Sequence, residues 1–232
     1  MIFDYQTSMP SDGNMQEFLD LYQEPAPFEE YARYFVGVDL GQRMDYTAVA
    51  VLEQHYDERG RSFYETGWLK RFPLMTRYSS IAKQLKKLDT KLRLRAAKQE
   101  KSLMLTYLVD AGGVGNAAVE LCEVELPNAD IYRCFITGGL HATVDSRERE
   151  IRIPKFQLVS TLVALFDSER IHFPKDAKYI EAMVEELESY EVHVSESGNE
   201  QYAARSSRHD DLICAVSLPA WYSQQESTAD MW

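Results

Sequence analysis

The chain has 232 residues, 45% of them hydrophobic, which predicts one sizeable globular α/β domain with a packed core. Its three cysteines stand far apart among apolar neighbours, which excludes a disulfide framework and a zinc knuckle and indicates reduced core thiols. No apolar run approaches the roughly 18 residues of a membrane span, and the acidic N-terminus is unlike a signal peptide. We therefore expect a cytosolic protein that is not secreted and has no membrane partner.

The formal net charge of -12 hides a strong asymmetry along the chain. Residues 1–30 carry seven acidic side chains, three prolines and no basic side chain, which predicts an acidic leader or the remnant of an interdomain linker over residues 1–33. Between Lys70 and Lys101 eleven basic residues stand against two acidic ones. Such a segment is either an ordinary solvated helix face or a surface for a polyanion.

Three strands are predicted first along the folded part of the chain. Apolar runs at 34–40 and 46–53 flank a short polar turn, and a third run follows at 62–72, so short connections predict three antiparallel strands. Asp39 lies near the end of the first strand, where a buried charge costs several kcal/mol unless it is compensated. Asp39 is therefore either a turn cap or a metal ligand, and Asp45, across the turn, is interpreted as a turn residue.

A basic helix is expected at about 77–100, because four apolar residues recur there at helical spacing. A nearly continuous apolar run at 102–109 predicts a strand buried on both faces, and it ends in Asp110. Glycines break the chain after Asp110, a second helix follows, and residues 130–137 predict another strand closed by two glycines.

The second half of the chain is predicted to contain a loop, three helices, a short edge strand and a hairpin. The polar stretch 141–153 indicates a surface loop, and Pro154 suits the first turn of a helix. Residues 171–173 form a short edge strand at most, a helix follows at about 177–189, and segments 191–194 and 200–204 predict a β-hairpin. The last helix opens near residue 208 and is bent or ended near Pro219, and residues 224–232 form a polar tail.

Acidic residues thus stand at the ends of three elements: Asp39, Asp110, and Asp210 or Asp211. Because the ends of adjacent strands converge, their carboxylates would repel one another unless a hard cation such as Mg²⁺ or Mn²⁺ lies among them. Two such ions about 3.5–4 Å apart can activate a water and stabilise the leaving oxygen in phosphodiester hydrolysis. Either neighbouring acid could cap the last helix while the other binds metal, and His209 is expected to orient a ligand rather than to be one.

Five segments resemble, in order, the nuclease domain of bacteriophage large terminase subunits. They are Gly37-Val-Asp-Leu-Gly, Val109-Asp-Ala-Gly-Gly-Val-Gly-Asn-Ala, Ile153-Pro-Lys-Phe-Gln-Leu-Val-Ser, Glu185-Glu-Leu-Glu-Ser-Tyr-Glu-Val and Arg208-His-Asp-Asp-Leu-Ile-Cys-Ala-Val. The resemblance implies an RNase H-like domain over 34–223. Its central mixed sheet would have three antiparallel strands followed by parallel strands, helices on both sides and an added hairpin before the last helix.

The same resemblance implies a metal-dependent endonuclease that cuts concatemeric double-stranded DNA with two Mg²⁺ or Mn²⁺ ions during viral genome packaging. Asp39, Asp110 and Asp210 would be the metal ligands, with Asp211 beside them. The implied partners are DNA, a packaging ATPase domain, a portal and a small terminase subunit in the cytoplasm of the infected host cell. Because the chain is acidic overall, we expect weak, salt-sensitive DNA binding. The expected DNA contacts are Lys155, Lys83, Lys86 and Lys87.

The chain departs from that family in having no Gly-x-x-x-x-Gly-Lys-Ser/Thr motif, so ATP-driven translocation is not assigned to it. Three alternatives stay open. Residues 113–118 fit a relaxed dinucleotide fingerprint, although Asp110 would repel a pyrophosphate there. An actin-like or sugar-kinase-like phosphotransferase shares the RNase H-like core. A packaging-motor docking module with weak nuclease activity in isolation is the third.

Overall fold

A computed structural model describes residues 30–41, 45–112, 116–174, 179–188, 190–194, 200–204 and 210–229. The strands are β1 (Tyr31–Asp39), β2 (Ala48–Tyr56), β3 (Ser62–Arg71), β4 (Ser102–Asp110), β5 (Asp130–Thr137), β6 (Thr143–Asp145), β7 (Glu150–Pro154), β8 (Ile171–His172), β9 (Tyr190–Val194) and β10 (Glu200–Ala204). The helices are α1 (Tyr78–Lys98), α2 (Asn116–Glu125), α3 (Lys155–Asp167), α4 (Ile180–Glu188) and α5 (Asp211–Ala229). In the described part of the chain, no helix is long and apolar enough to cross a membrane.

Eight strands form one mixed sheet in the order β6-β7-β5-β4-β1-β2-β3-β8. Strands β1, β2 and β3 pair antiparallel through short connections, whereas β4, β5 and β7 join the sheet parallel to β1. Parallel pairing needs crossover connections, and helices α1 and α2 supply two of them. Strands β9 and β10 form a separate antiparallel hairpin. The predicted fold class, including the hairpin before the last helix, is confirmed.

Strand register brings several charged residues to one edge of the sheet. Asp39 pairs with Ala48, and Ala48 pairs with Arg71 at the end of β3. On the other side of β1, Val38 pairs with Val109, so Asp110 ends β4 at the same level. We call this side of the molecule the carboxyl edge, because the parallel strands end there.

The sheet separates two layers of helices. Helix α1 buries Ile81, Leu85, Leu88 and Leu92 against one face, together with apolar residues of α2. Each fully buried side chain of this size contributes about 1.5–3 kcal/mol to folding. The opposite face is covered by α5, with α3 and α4 beside it. Successive residues of a strand point to opposite faces, which is why β1 contributes alternately to both cores.

Helix α5 lies very close to β1 because Gly37 has no side chain. A Cβ atom added at Gly37 would lie 1.9 Å from the carbonyl oxygen of Ala215 and 2.5 Å from Cδ of Pro219. Pro219 has no N–H to donate to the Ala215 carbonyl, and that carbonyl faces Gly37. The helix continues past Pro219 to Ala229, so of the two predicted alternatives, a bend or an end near Pro219, the end is wrong. The predicted divisions at residues 33 and 223 stay predictions.

One predicted loop is wrong in part. The stretch 141–153 was expected to be a polar surface loop, but it contains β6 and most of β7. Ile151 and Ile153 are fully buried while Arg152 between them is exposed, the alternation that defines a half-buried strand. The charged residues around this short pattern conceal it in the sequence. The short edge strand predicted at 171–173 is confirmed as β8.

Candidate functional site

Two aspartates end adjacent parallel strands at the carboxyl edge. Asp39 is the last residue of β1, and Asp110 is the last residue of β4. The Oδ1 atom of Asp110 accepts a hydrogen bond of 2.8 Å from the N–H of Gly112. Asp110 therefore caps the glycine turn with one carboxylate oxygen and also lies beside Asp39. A hydrogen bond to the turn and a place among the other acids are thus compatible for Asp110.

The carboxyl group of Asp39 lies among other carboxyl groups. Burial raises its pKa well above the ordinary value, and the negative charges of Asp110, Asp210, Asp211 and Asp45 raise it further. Coulomb interactions weaken with distance, so the acids that act on Asp39 lie near it. The structure thus brings together all four predicted acidic site residues. It adds Asp45, which the sequence suggested only as a turn residue.

Asp110 is held in a similar environment. Burial is the main cause of its raised pKa, and the negative charge of Asp210 acts in the same direction. The hydrogen bond from Gly112 and the positive charge of Lys155 act against it. The ionised forms of both strand-end carboxyl groups are therefore unfavourable in this protein. A bound cation would stabilise these ionised forms.

Lys155, at the first position of α3, brings a positive charge into this acidic cluster. Its Nζ atom donates to Oδ2 of Asp210 at 2.6 Å. Burial alone would lower the pKa of Lys155, but the charge and hydrogen bond of Asp210 outweigh it, so that the pKa is raised. The ammonium group of Lys155, a predicted DNA contact, is therefore paired with Asp210, one of the predicted metal ligands.

Asp211 is the most deeply buried acid of the cluster, with 2% exposure. Arg71 donates to it with Nε at 2.7 Å and with Nη2 at 3.2 Å. The same Nη2 atom contacts Oε1 of Glu186, a buried residue of α4. The guanidinium of Arg71 also lies over the ring of Tyr46, 4.9 Å from its centroid. Asp210 and Asp211, adjacent in sequence, thus face different cations.

Arg71 and Glu186 are the residues of this site that sequence reasoning missed. In the sequence, Arg71 belongs to the basic segment. It is also the last residue of β3, and a residue at the end of a strand is a candidate for the carboxyl edge. Glu186 lies three residues after the buried Met183, so its spacing puts an acid on the apolar stripe of α4. A buried acid at such a position needs a partner, and that requirement was a usable signal.

The other predicted residues have different surroundings. Lys83, Lys86 and Lys87 are exposed on α1, which covers the sheet face opposite to α5. The Nζ atom of Lys86 lies 3.1 Å from Oε2 of Glu125 on α2. The structure does not place these lysines with the carboxyl cluster. His209 lies outside the described residues.

Cys214 packs beneath the acidic cluster, one turn into α5. Burial raises the pKa of its thiol, and the charges of Asp39, Asp110 and Asp210 raise it further. The thiol is therefore held in its neutral form. Cys122, Cys134 and Cys214 are all buried and not in disulfides, which confirms the interpretation of reduced core thiols.

The donor set of the cluster suits a hard divalent cation. The groups around Asp39 are carboxylates, whose oxygens are the ligands that Mg²⁺ and Mn²⁺ prefer. Within the described ranges, no three Asp, Glu, His or Cys side chains form a ready-made metal site. An ion would have to draw the repelling carboxylates together and displace Lys155 from Asp210. The residue types and their charges fit such an ion.

Solved structures with the same architecture include terminase nucleases. The large terminase nuclease of thermophilic phage G20c is 23% identical, with a TM-score of 0.55 over 83% of this chain and 82% of its own. The same nuclease with bound cobalt is 22% identical, with a TM-score of 0.52 over 82% and 80%. The human cytomegalovirus terminase nuclease domain, soaked in Mn, is 16% identical, with a TM-score of 0.53 over 89% and 91%.

No protein-family model and no curated protein sequence matches the chain. At these sequence identities the structural likeness shows the fold alone. The likeness extends over 82–89% of this chain. The chain therefore has the RNase H-like fold of the large terminase nuclease domains.

Proposed function

We propose that the chain is a metal-dependent endonuclease of viral DNA packaging, which cleaves concatemeric double-stranded DNA. The observation that carries this proposal is the position of Asp39, a carboxyl group at the end of a central strand surrounded by other carboxyl groups. A protein that gathers acids in this way gains little stability from them, so a cation-dependent activity is the better explanation. The fold is compatible, since its structural neighbours are terminase nucleases.

Asp39, Asp110 and Asp210 would hold two Mg²⁺ or Mn²⁺ ions. Asp211 assists from nearby by adding negative charge to the site. Divalent ions bound there would activate a water for attack on a phosphodiester and stabilise the leaving oxygen. One structural neighbour has bound cobalt and another was soaked in Mn, which supports the choice of divalent ions.

The remaining residues of the site would orient the carboxylates or bind the DNA. Gly112 fixes one oxygen of Asp110 by its N–H, which holds the carboxylate in one rotamer. Lys155 neutralises Asp210 and stands where its ammonium group could hold a DNA phosphate. The exposed lysines of α1, Lys83, Lys86 and Lys87, would contact the DNA backbone farther from the cut.

The biological setting follows from the same proposal. A packaging nuclease acts with a packaging ATPase, a portal and a small terminase subunit, in the cytoplasm of the infected host cell. These partners are proposed from the resemblance of the five sequence segments and from the shared fold.

Plasmid digestion tests the proposal. The wild-type chain should cut supercoiled plasmid with Mn²⁺ or Mg²⁺ and stop when EDTA is added, and Asp110→Ala should be inactive. Asp167→Asn is a matched control, because Asp167 is an exposed acid at the end of α3. If the wild type does not cut with any divalent ion, or if Asp110→Ala cuts equally well, the nuclease assignment is wrong. Calorimetry with ATP addresses the phosphotransferase alternative, which requires nucleotide binding.

A further inference from the structure

The first turn of α5 carries backbone N–H groups that have no partner within the helix. Asp210 is the N-cap of this helix, since its carbonyl oxygen accepts from the N–H of Cys214 at 2.9 Å. An aspartate at this position ordinarily turns its side chain back to accept the N–H groups of the second and third helical residues. In α5 these residues are Leu212 and Ile213.

Another helix supplies the capping oxygen here. The Oε2 atom of Glu186, on α4, accepts from the N–H of Leu212 at 3.0 Å and from the N–H of Ile213 at 3.1 Å. The carboxylate of Asp210 instead accepts from Lys155 on the other side, at the acidic cluster. Glu186, 24 positions before Asp210 in the chain, thus accepts the hydrogen bonds that an N-cap side chain usually accepts.

Glu186 is fixed by Arg71 from the sheet. Arg71 contacts the second carboxylate oxygen of Glu186 and makes two hydrogen bonds to Asp211. Its own carbonyl accepts from the hydroxyl of Tyr179 at 3.1 Å. Strand β3, helix α4 and helix α5 therefore meet at one guanidinium. We call Arg71, Glu186 and Asp211 the clamp.

We propose that Arg71 and Glu186 are positioning residues that aim the Asp210 carboxylate at the metal site. Glu186 caps α5 from outside, so Asp210 serves the site instead of its own helix. Arg71 holds both Glu186 and Asp211, which makes Asp211 an anchor whose charge acts on the site without ligating an ion. This inference rests on the proposed function and assigns the two adjacent acids different tasks.

The charges explain why the clamp depends on all three members. Glu186 and Asp211 are both almost fully buried, and one guanidinium neutralises them together. Removing Arg71 leaves two carboxylates close together without that cation, which destabilises such a site more than the pair itself had stabilised it. The first turn of α5 would then move, and Asp210 would move with it.

Amide hydrogen exchange, measured on the full chain without metal, tests the hydrogen bonds that α5 donates to Glu186. In Glu186→Ala the amides of Leu212 and Ile213 should exchange roughly tenfold faster, about the net worth of one buried hydrogen bond. Glu186→Gln keeps an acceptor oxygen for these N–H groups and should restore most of the protection. Arg133→Met is the matched control, because Arg133 makes a partly buried bidentate pair with Glu123 away from α5.

Mn²⁺ calorimetry on the same variants connects the clamp to the site. Arg71→Met and Glu186→Ala should bind Mn²⁺ about 10–100-fold more weakly, the usual loss when a residue supporting a ligand is removed. Asp211→Asn should bind as many ions as the wild type, whereas Asp210→Asn should bind fewer. If Glu186→Ala does not fold, Arg71→Met tests the positioning role, and Asp211→Asn tests whether Asp211 ligates an ion.

Two results would overturn the inference while leaving the proposed function intact. One is a wild type that binds Mn²⁺ and an Arg71→Met variant that binds it as tightly as Arg133→Met does. The other is the loss of a bound ion in Asp211→Asn, which would make Asp211 a ligand. If the wild type itself binds no Mn²⁺, the proposed function fails, and the positioning role fails with it.

Discussion

The acids at the two ends of β1 lie in opposite charge environments. Near the amino end, Glu53 of β2 is buried, accepts from the Tyr34 hydroxyl at 3.2 Å and pairs with Arg95 at 2.8 Å. At the carboxyl end, Asp39 is surrounded by acids that raise its pKa. A buried carboxylate matched by its own cation contributes to the fold, whereas one surrounded by like charges indicates a cation from outside. The contrast separates an acid that is paired within the fold from an acid to which the proposed function assigns a metal ion.

Replacing the acid at each end is the strongest test of this contrast. Asp39→Asn should reduce plasmid cleavage at least about 100-fold, because even residues that only support a metal ligand are worth about 10–100-fold. In EDTA the same variant should melt at a higher temperature, since one of several repelling charges is gone. Glu53→Gln should do the reverse, with unchanged cleavage and a loss of about 1–3 kcal/mol in unfolding free energy. Equal behaviour of the two variants in digestion and melting would contradict the contrast.

A substitution between the two ends tests whether the distance from α5 to β1 matters to the site. Gly37→Ala would place a Cβ atom 1.9 Å from the Ala215 carbonyl oxygen, so the helix must shift away from the strand. We expect a loss of at least about 1–3 kcal/mol in unfolding free energy, the usual cost of overpacking, and weaker Mn²⁺ binding. Gly67→Ala is the control, because no atom lies within 4 Å of the added Cβ, and it should change stability by less than about 0.5 kcal/mol. Denaturant titration measures both, and equal losses would contradict the close contact.

The acids at the carboxyl end should also give the metal-free protein a particular pH dependence. Because the pKa of Asp39 is higher in the folded than in the unfolded state, the folded protein binds more protons between the two values. This contribution to stability is therefore present at low pH and is lost as the pH rises from the ordinary aspartate value through the raised one. The melting temperature of the wild type relative to Asp39→Asn should fall over that interval in EDTA. Added Mn²⁺ should remove the fall, and a difference that rises with pH would refute the assignment.

Much of the fold could be predicted because its apolar spacing is regular. Ile81, Leu85, Leu88 and Leu92 recur every three or four residues, and all four are buried in α1. The strands β6 and β7 were missed because the alternation at Ile151 and Ile153 is short and charged residues surround it. Periodicity predicts a helix or strand only when the apolar residues repeat over a long enough segment to stand out from the residues around it.

The acids of the site could be predicted because strand ends converge, and Asp39 and Asp110 both end central strands. The clamp could not, since Arg71 and Glu186 are 115 residues apart and meet only through the packing of α4 against β3 and α5. Strand register and helix packing set that contact, and neither is readable from local sequence. The sequence also left open which of Asp210 and Asp211 caps the helix, and the structure has Glu186 accept the N–H groups of Leu212 and Ile213.

The smallest expected effect tests whether the amino end is independent of the site. Tyr34 donates its hydroxyl to Glu53, and burial, followed by the charge of Glu53, raises the pKa of Tyr34 to about 12. Tyr34→Phe removes one hydrogen bond to a carboxylate that Arg95 still neutralises, so unfolding free energy should fall by about 1 kcal/mol. Plasmid cleavage and Mn²⁺ affinity should stay at wild-type values, because Asp39 lies at the opposite end of the strand. Weaker Mn²⁺ binding by Tyr34→Phe would mean that strain is transmitted along β1 and that the two ends form one coupled unit.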